Sequence, residues 1–334
     1  MNKKLLILSP NFTLRGQPVA ERTLAYDRFF KSNSIETKIK ETPKNIFELI
    51  DIIKYIYKNN FNNILITMPP FRNWCLLLLP KVNTILDIRD GWSIAMKSGY
   101  GGTVKPNIFK ASITRIIEYI GIKLSTLTIT CTPGLEQYLQ NLANKKILLI
   151  PNGYNDDDKR IVDSLRSTES DSTETKKDEI KFICAGKFSE YGVEKVKLVI
   201  DKIYNQYTNI NITLTVVGAN AQENNWIHKY IKQKNYKNIT FHLLDRIQKN
   251  ELYALILEHD MAITIIRDPD YDFGTKVFDY ILCNKPIFNY FDTNNNFTKY
   301  FKNYFAVDKP IFSASFLRSD LLEKDKENLL KVLK

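Results

Sequence analysis

The sequence predicts an α/β protein built from two doubly wound parallel-sheet domains. Three observations carry this prediction. The chain has 334 residues, too many for one small core. Short apolar runs of β character alternate with helical segments, the rhythm of consecutive βαβ units. That rhythm runs twice, with one polar interruption after residue 155.

The first repeat opens on Leu5–Leu8. Two lysines precede this run as they would in a secretion signal, but it stops after four apolar residues, so it reads as a buried first strand. Further strands are expected at Glu36–Lys40, Ile64–Thr67, Thr84–Ile88, Leu127–Thr130 and Ile147–Ile150. Helices are expected between them, over about 19–32, 46–59, 107–124 and 134–143. The stretch holding Asp156-Asp-Asp-Lys-Arg160 and Ser167–Asp178 is strongly polar, with nothing aromatic in either run to offset ordering entropy. It reads as a flexible linker or exposed loop over 154–179, which sets domains at 1–153 and 180–334. The second repeat then starts at Ile180–Ala185, with a helix near 192–207. Strands at Asn211–Val217, Ile239–Leu243, Met261–Ile266 and Pro286–Tyr290 complete it. Two such domains facing each other form a cleft at the carboxyl ends of their strands, where this architecture binds ligands.

Composition narrows the class. A 44% hydrophobic content describes a soluble globular chain. The longest apolar stretch, Trp74–Pro80, is far short of the ~20 residues needed to cross a bilayer. Cys75, Cys131, Cys184 and Cys283 show neither metal-ligand nor redox spacing and read as reduced thiols of a cytoplasmic protein. Charge is uneven: residues 1–150 carry 21 Lys+Arg against 10 Asp+Glu, while the remainder carries 27 of each, so the net +11 sits wholly in the first half. A basic face there suits anionic lipid headgroups, a lipid-linked diphosphate or nucleic acid, and it also fits an ordinary solvated surface. The helix expected over 107–124 sharpens the choice, since Lys110, Arg115 and Lys123 stand among Ile108, Phe109, Ile113, Ile116, Ile117, Tyr119 and Ile120. It reads either as a helix packed on its sheet or as one resting on the inner leaflet, and pattern alone favours packing.

The richest stretch is Asp272-Phe-Gly-Thr-Lys-Val-Phe-Asp-Tyr280, between the apolar runs Met261–Ile266 and Pro286–Tyr290. It reads as strand, polar loop, a helix opening on Gly274, Thr275 and Lys276, and a second strand. Free N–H groups and the positive dipole end at such a helix start suit a phosphate, and Lys276 adds a full charge. An ordinary capped surface helix fits the same residues.

The order of motifs resembles the retaining, family-4 type of GT-B glycosyltransferases, which extend bacterial surface glycans. The resemblance spans roughly residues 5–290. It rests on the loop Leu14-Arg-Gly-Gln-Pro18 after the first strand, on Asp87-Ile-Arg-Asp-Gly-Trp92, and on Ile150-Pro-Asn-Gly153 closing the first domain. In the second domain it rests on Ala185-Gly-Lys187, Val216-Val-Gly218, Lys276-Val-Phe-Asp-Tyr280 and Asn284-Lys-Pro286. Two departures accompany these matches. The family's first donor-loop acid falls on Tyr271, with Asp272 one residue away, and its second phosphate-binding lysine falls near Tyr191, with Lys195 as a substitute.

The resemblance implies two Rossmann-like domains across a cleft and transfer of a sugar from a nucleotide diphosphate sugar, a UDP-sugar most of all. Cleaving the anomeric bond develops charge on the leaving diphosphate, so cations and N–H donors there carry the catalysis. It implies Lys187 and Lys276 in that role. Gly16, Gly186, Asp272, Gly274, Thr275 and Asp279 would complete the donor site, Asp279 through ribose or sugar hydroxyls. A donor phosphate oxygen would take the acceptor proton on the same face, so no separate nucleophile is required. Arg15, Arg89, Asp90 and Trp92 fall on the acceptor side, with Asp90 orienting the acceptor hydroxyl or accepting its proton. Asp87, Arg89 and Asp90 also fit a purely local ion cluster capping the loop, and Trp92 a core aromatic. Gly99, Gly101 and Gly102 suggest a mobile loop nearby, or merely tight turns.

No Gly-x-Gly-x-x-Gly fingerprint, P-loop, nucleophile elbow, zinc motif or nucleic-acid motif occurs. Asp156-Asp-Asp158 offers acids outside any convincing site, so neither a metal nor a resident cofactor is expected, and nucleic acid is not an expected partner. The expected function is transfer of a sugar to a glycan or polyprenyl-diphosphate-linked acceptor in capsule or lipopolysaccharide assembly, in the cytoplasm or on the inner face of its membrane. A nucleotide-sugar 2-epimerase of the same fold, or a non-catalytic partner in a polysaccharide assembly complex, stays open beside it.

Overall fold

The computed structural model of the chain describes residues 3–13, 17–69, 71–100, 104–168, 178–305 and 315–333. They form two compact units. The first comprises Met1–Tyr100, Val104–Asn155 and Phe316–Lys334, and the second Asp156–Ser315.

The first unit holds a six-stranded parallel sheet of β1 (Lys4–Leu8), β2 (Glu36–Lys40), β3 (Asn63–Met68), β4 (Asn83–Ile88), β5 (Leu127–Thr130) and β6 (Leu148–Leu149), in the order β2-β1-β3-β4-β5-β6. All residues of β3 and β4 are buried, as expected of central parallel strands covered on both faces. Connecting helices are α1 (Pro18–Ser32), α2 (Ile46–Lys58), α3 (Trp92–Ser98), α4 (Ile108–Leu124) and α5 (Pro133–Ala143), with a 3₁₀ segment at Phe71–Leu78. Polar caps begin several of them: Asn45, Asn107 and Thr132 accept the N–H of Glu48, Lys110 and Leu135. The chain steps one way from β1 to β2 and the other way thereafter. Right-handed crossovers therefore set α1 on one face of the sheet and α2, α4 and α5 on the other.

The second unit holds β7 (Glu179–Ala185), β8 (Asn211–Val217), β9 (Ile239–Leu244) and β10 (Met261–Ala262), all parallel, in the order β10-β7-β8-β9. Its helices are α6 (Asp156–Thr168), α7 (Val193–Gln206), α8 (Ala221–Asn224), α9 (Trp226–Gln233), α10 (Lys249–Glu258), α11 (Lys276–Leu282) and α12 (Asn296–Tyr300). Phe182, Val196, Ile200, Leu214 and Ile263 stand in its core. Strand order reverses between β7 and β10, which makes their carboxyl ends the topological switch point of this sheet.

Three sequence expectations change. The segment read as linker or loop contains α6, whose Val162 is fully buried and whose Asp158 pairs with Lys249 of α10 at 2.6 Å. The strand expected over Met261–Ile266 is regular only at Met261–Ala262, and Pro286–Tyr290 contributes a single parallel bridge, Ala262 to Ile287. The C-terminal residues belong with the first unit rather than the second. Here α13 (Arg318–Lys324) and α14 (Lys326–Lys331) bring Leu322, Leu329 and Leu333 onto Phe29 and Phe30 of α1, and Tyr154 bridges Leu317.

One buried histidine makes the second unit sensitive to pH. His259 is 5% exposed; its Nδ1 donates to the Leu255 carbonyl at 2.7 Å and its Nε2 lies 2.9 Å from Thr215 Oγ1. Burial chiefly, with Lys181 adding repulsion, lowers its pKa below the ordinary 6.5. The unfolded chain then takes up a proton that the folded chain refuses, so stability falls as pH drops below about 6.5. Urea titrations between about pH 7.5 and about pH 5 should show this loss, and it should flatten in His259→Gln.

Candidate functional site

Several charged residues of the second unit stand near the switch point. Immediately after β7 the chain turns at Gly186 with φ +95°, a conformation that favours glycine. A Cβ there would lie 4.0 Å from Cγ of Lys276, so the turn and the lysine stem are neighbours. The cause is Tyr280, fully buried one turn into α11, whose hydroxyl accepts the Ala185 N–H at 2.7 Å. This bond pins α11 to the end of β7 and sets Lys276 beside the glycine.

Lys276 Nζ donates to Asp279 Oδ2 at 3.0 Å. The other carboxylate oxygen of Asp279, which is 8% exposed, accepts the Tyr253 hydroxyl at 3.1 Å. Burial first, and then Asp279, raise the Tyr253 pKa, so its hydroxyl remains a donor. Both oxygens of Asp279 are thus engaged within the protein, one of them on the ammonium expected to meet phosphate. The helix contributes less than its sequence implies, since α11 has seven residues and Thr275 makes no side-chain cap. Positive charge at this point resides in side chains.

A second cationic group surrounds Tyr191, the residue standing where the resemblance expects a lysine. Lys187, exposed just after Gly186, places its ammonium 5.5 Å from the ring centroid, and the Arg267 guanidinium lies 5.9 Å from it. Arg267 is held by Asp272 at 2.6 Å, and Asp272 also accepts the Gly274 N–H at 3.3 Å. Asp272 therefore staples the loop that leads into α11. Lys195 occupies the same region, its Nζ donating to the carbonyls of Ile266 and Arg267 at 2.7 Å each. Burial lowers its pKa against the opposing pull of Asp268 and Asp272. Arg267 escaped the sequence reading, although it is the first charged residue after the apolar run 261–266 and so stands at a strand's carboxyl side. Tyr253 escaped it too, because nothing in a mid-helix tyrosine signals a partner 26 residues away.

In the first unit, Arg15 and Gly16 lie outside the described residues, as do Gly101 and Gly102. Gly99 ends α3 in the left-handed region at φ +74°. Arg89 and Asp90 follow β4, half-buried, with Arg89 Nη2 donating to the Pro69 carbonyl at 3.3 Å. Trp92 opens α3, and its N–H is accepted by the buried Glu118 of α4 at 2.7 Å. Asp87 does not join a local cluster with Arg89. It is completely buried and takes a two-pronged contact from Arg22 of α1, with Nε and Nη2 each donating at 2.9 Å. Arg22 Nη1 continues to the Ile150 carbonyl at 2.9 Å, tying the end of β4 to the segment Ile150-Pro-Asn-Gly153. Gly153 is required there, since a Cβ would stand 2.0 Å from the Phe316 carbonyl oxygen.

No family model and no curated protein matches this chain. Solved structures share its fold. Anabaena HepE in complex with UDP-glucose superposes with a TM-score of 0.56 at 11% identity, covering 99% of this chain and 92% of that one. The catalytic domain of starch synthase IV from Arabidopsis thaliana, bound to ADP and acarbose, gives 0.57 at 8% identity over 99% and 94%. The lipopolysaccharide outer core galactosyltransferase WaaB gives 0.55 at 9% identity over 85% and 79%. The chain thus has the GT-B fold, two Rossmann-like parallel-sheet domains, and the glycosyltransferases among these structures share it.

Proposed function

We propose that this chain is a glycosyltransferase that takes a sugar from a nucleotide diphosphate sugar, a UDP-sugar first among them, and passes it to a glycan or polyprenyl-diphosphate-linked acceptor in bacterial capsule or lipopolysaccharide assembly. The observation that carries the reading is the positive-φ turn at Gly186 set against Lys276 at the switch point of the second sheet. Backbone without a side chain lets a diphosphate approach closely, and the lysine beside it supplies the charge. The UDP-glucose and ADP complexes of two structures with this fold support a nucleotide-sugar donor, and WaaB supports the surface-glycan role.

In this mechanism Lys276 and Lys187 stabilise the negative charge that grows on the leaving diphosphate. Arg267 and Lys195 hold the loop after β10 in place, and Asp279, itself bonded by Tyr253, positions the Lys276 ammonium. The sugar leaves with retention, a phosphate oxygen of the donor taking the acceptor proton. Asp90 orients the acceptor hydroxyl, with Arg89 and Trp92 beside it on the first unit. No metal or resident cofactor takes part in this scheme.

Incubation with a panel of UDP-, GDP- and CMP-sugars tests the assignment. Free UDP should appear from one UDP-sugar and rise with a matched acceptor. Isomerised sugar nucleotide without release would move the assignment to a 2-epimerase, and failure of any nucleotide to bind at millimolar concentration would overturn it.

A further inference from the structure

Helix α4 turns most of its large apolar side chains away from the unit that carries it. Its inward face is made of Ala111, Thr114, Glu118, Gly121 and Ile122, all buried, and a Cβ at Gly121 would stand 3.2 Å from Leu77. Its outward face carries Ile108 at 80% exposure, Phe109 at 75%, Ile116 at 59% and Leu124 at 45%. A helix of a globular domain ordinarily has these two faces exchanged. Elsewhere on this unit α2 also exposes Ile46 and Phe47, and its Tyr57 hydroxyl reaches the Pro80 carbonyl, just past the exposed Leu78. Single exposed apolar residues mean little, but a set of them along one helix marks a contact surface.

Charge selects what makes that contact. Lys110, Arg115 and Lys123 are exposed on α4, and Lys105 just precedes it. The one acid of the helix, Glu118, faces inward, where it accepts the N–H groups of Trp92 and Ser93. The outward face of α4 is therefore apolar and cationic with no compensating carboxylate. Two copies of it would repel each other, whereas anionic headgroups above hydrocarbon complement both features. Among the described residues no helix is long and apolar enough to cross a membrane, so the helix would lie on the bilayer rather than span it. We propose that the outward face of α4 is a docking surface for an anionic phospholipid bilayer. The inference rests on the first unit alone and stands apart from the nucleotide-sugar assignment.

Flotation of the full chain with vesicles tests it. The protein should rise with phosphatidylcholine vesicles containing phosphatidylglycerol, stay behind with phosphatidylcholine alone, and release as salt is raised. The variant Lys110→Glu/Arg115→Glu/Lys123→Glu should bind at least about tenfold more weakly. Phe109→Ser/Ile116→Ser should also weaken binding, with its melting temperature unchanged because both side chains are exposed. Wild-type binding that ignores lipid charge, or variants that bind as the wild type does, would overturn the proposal. A salt-insensitive dimer dissolved by Phe109→Ser/Ile116→Ser would also overturn it by assigning the face to a second copy of the chain.

Discussion

Asp87→Ala is expected to destabilise the first unit by about 3–5 kcal/mol, measured by urea denaturation, because it leaves Arg22 buried without its counter-charge. Arg22 is 3% exposed and Asp87 not at all. Burial alone would weaken the guanidinium's hold on its proton, and the adjacent carboxylate more than offsets this, raising its pKa. The two-pronged geometry at 2.9 Å satisfies both carboxylate oxygens, and the remaining guanidinium nitrogen bonds to the Ile150 carbonyl. Removing one partner therefore costs far more than the pair contributes over an apolar substitute. Arg22→Met should be similarly damaging, whereas Arg22→Met/Asp87→Leu should recover most of the loss. A cost below about 1 kcal/mol for Asp87→Ala would place water beside Arg22 and remove the argument.

The same pair shows where local sequence reasoning reaches its limit. Alternation along a strand puts Asp87 on the face of Ile85, the face that α1 covers, so its partner had to come from α1 and not from its neighbour Arg89. The sequence contains that alternation but not the identity of the helix above it. Strands β1, β3 and β4 were readable because parallel strands covered on both faces appear as largely apolar runs. Helix α6 was not, since most of its residues face solvent and only a few, such as Asp158 and Val162, are buried. Its three aspartates in the first turn and Arg166 in the last were the available signal, matching the helix dipole at both ends. The return of α13 and α14 to the first unit depends on contacts some 300 residues apart in sequence, as between Lys3 and the Leu333 carbonyl. No local pattern encodes such a contact. In the second unit, Gly186 and Lys276 stand at a strand end and a helix start, positions that carry their own sequence signals. Arg267 and the substitution of Tyr191 for a lysine acquire meaning only once two cations are seen beside the ring.

Lys276→Ala is expected to lower kcat/KM for the nucleotide sugar by about 10²–10³ while leaving the fold intact. The Lys276 side chain is 37% exposed and its pair with Asp279 is screened by solvent, so losing it costs at most about 1 kcal/mol of stability. Tyr253 continues to donate to Asp279 in the variant, so the carboxylate does not become an unsatisfied buried charge. The catalytic loss has a different origin. Charge accumulating on a diphosphate in a partly dehydrated site is strongly stabilised by a fixed cation, and Lys276 is the lysine set against the Gly186 turn. Lys187→Ala should move activity in the same direction by less, because that side chain is exposed and steadied mainly by the Tyr191 ring. Calorimetry with UDP separates the possibilities: affinity should fall in Lys276→Ala, and the fall should shrink as salt is added. Should UDP bind both proteins equally while turnover is lost, Lys276 would act only in the transition state. Equal binding with equal turnover would remove Lys276 from the site.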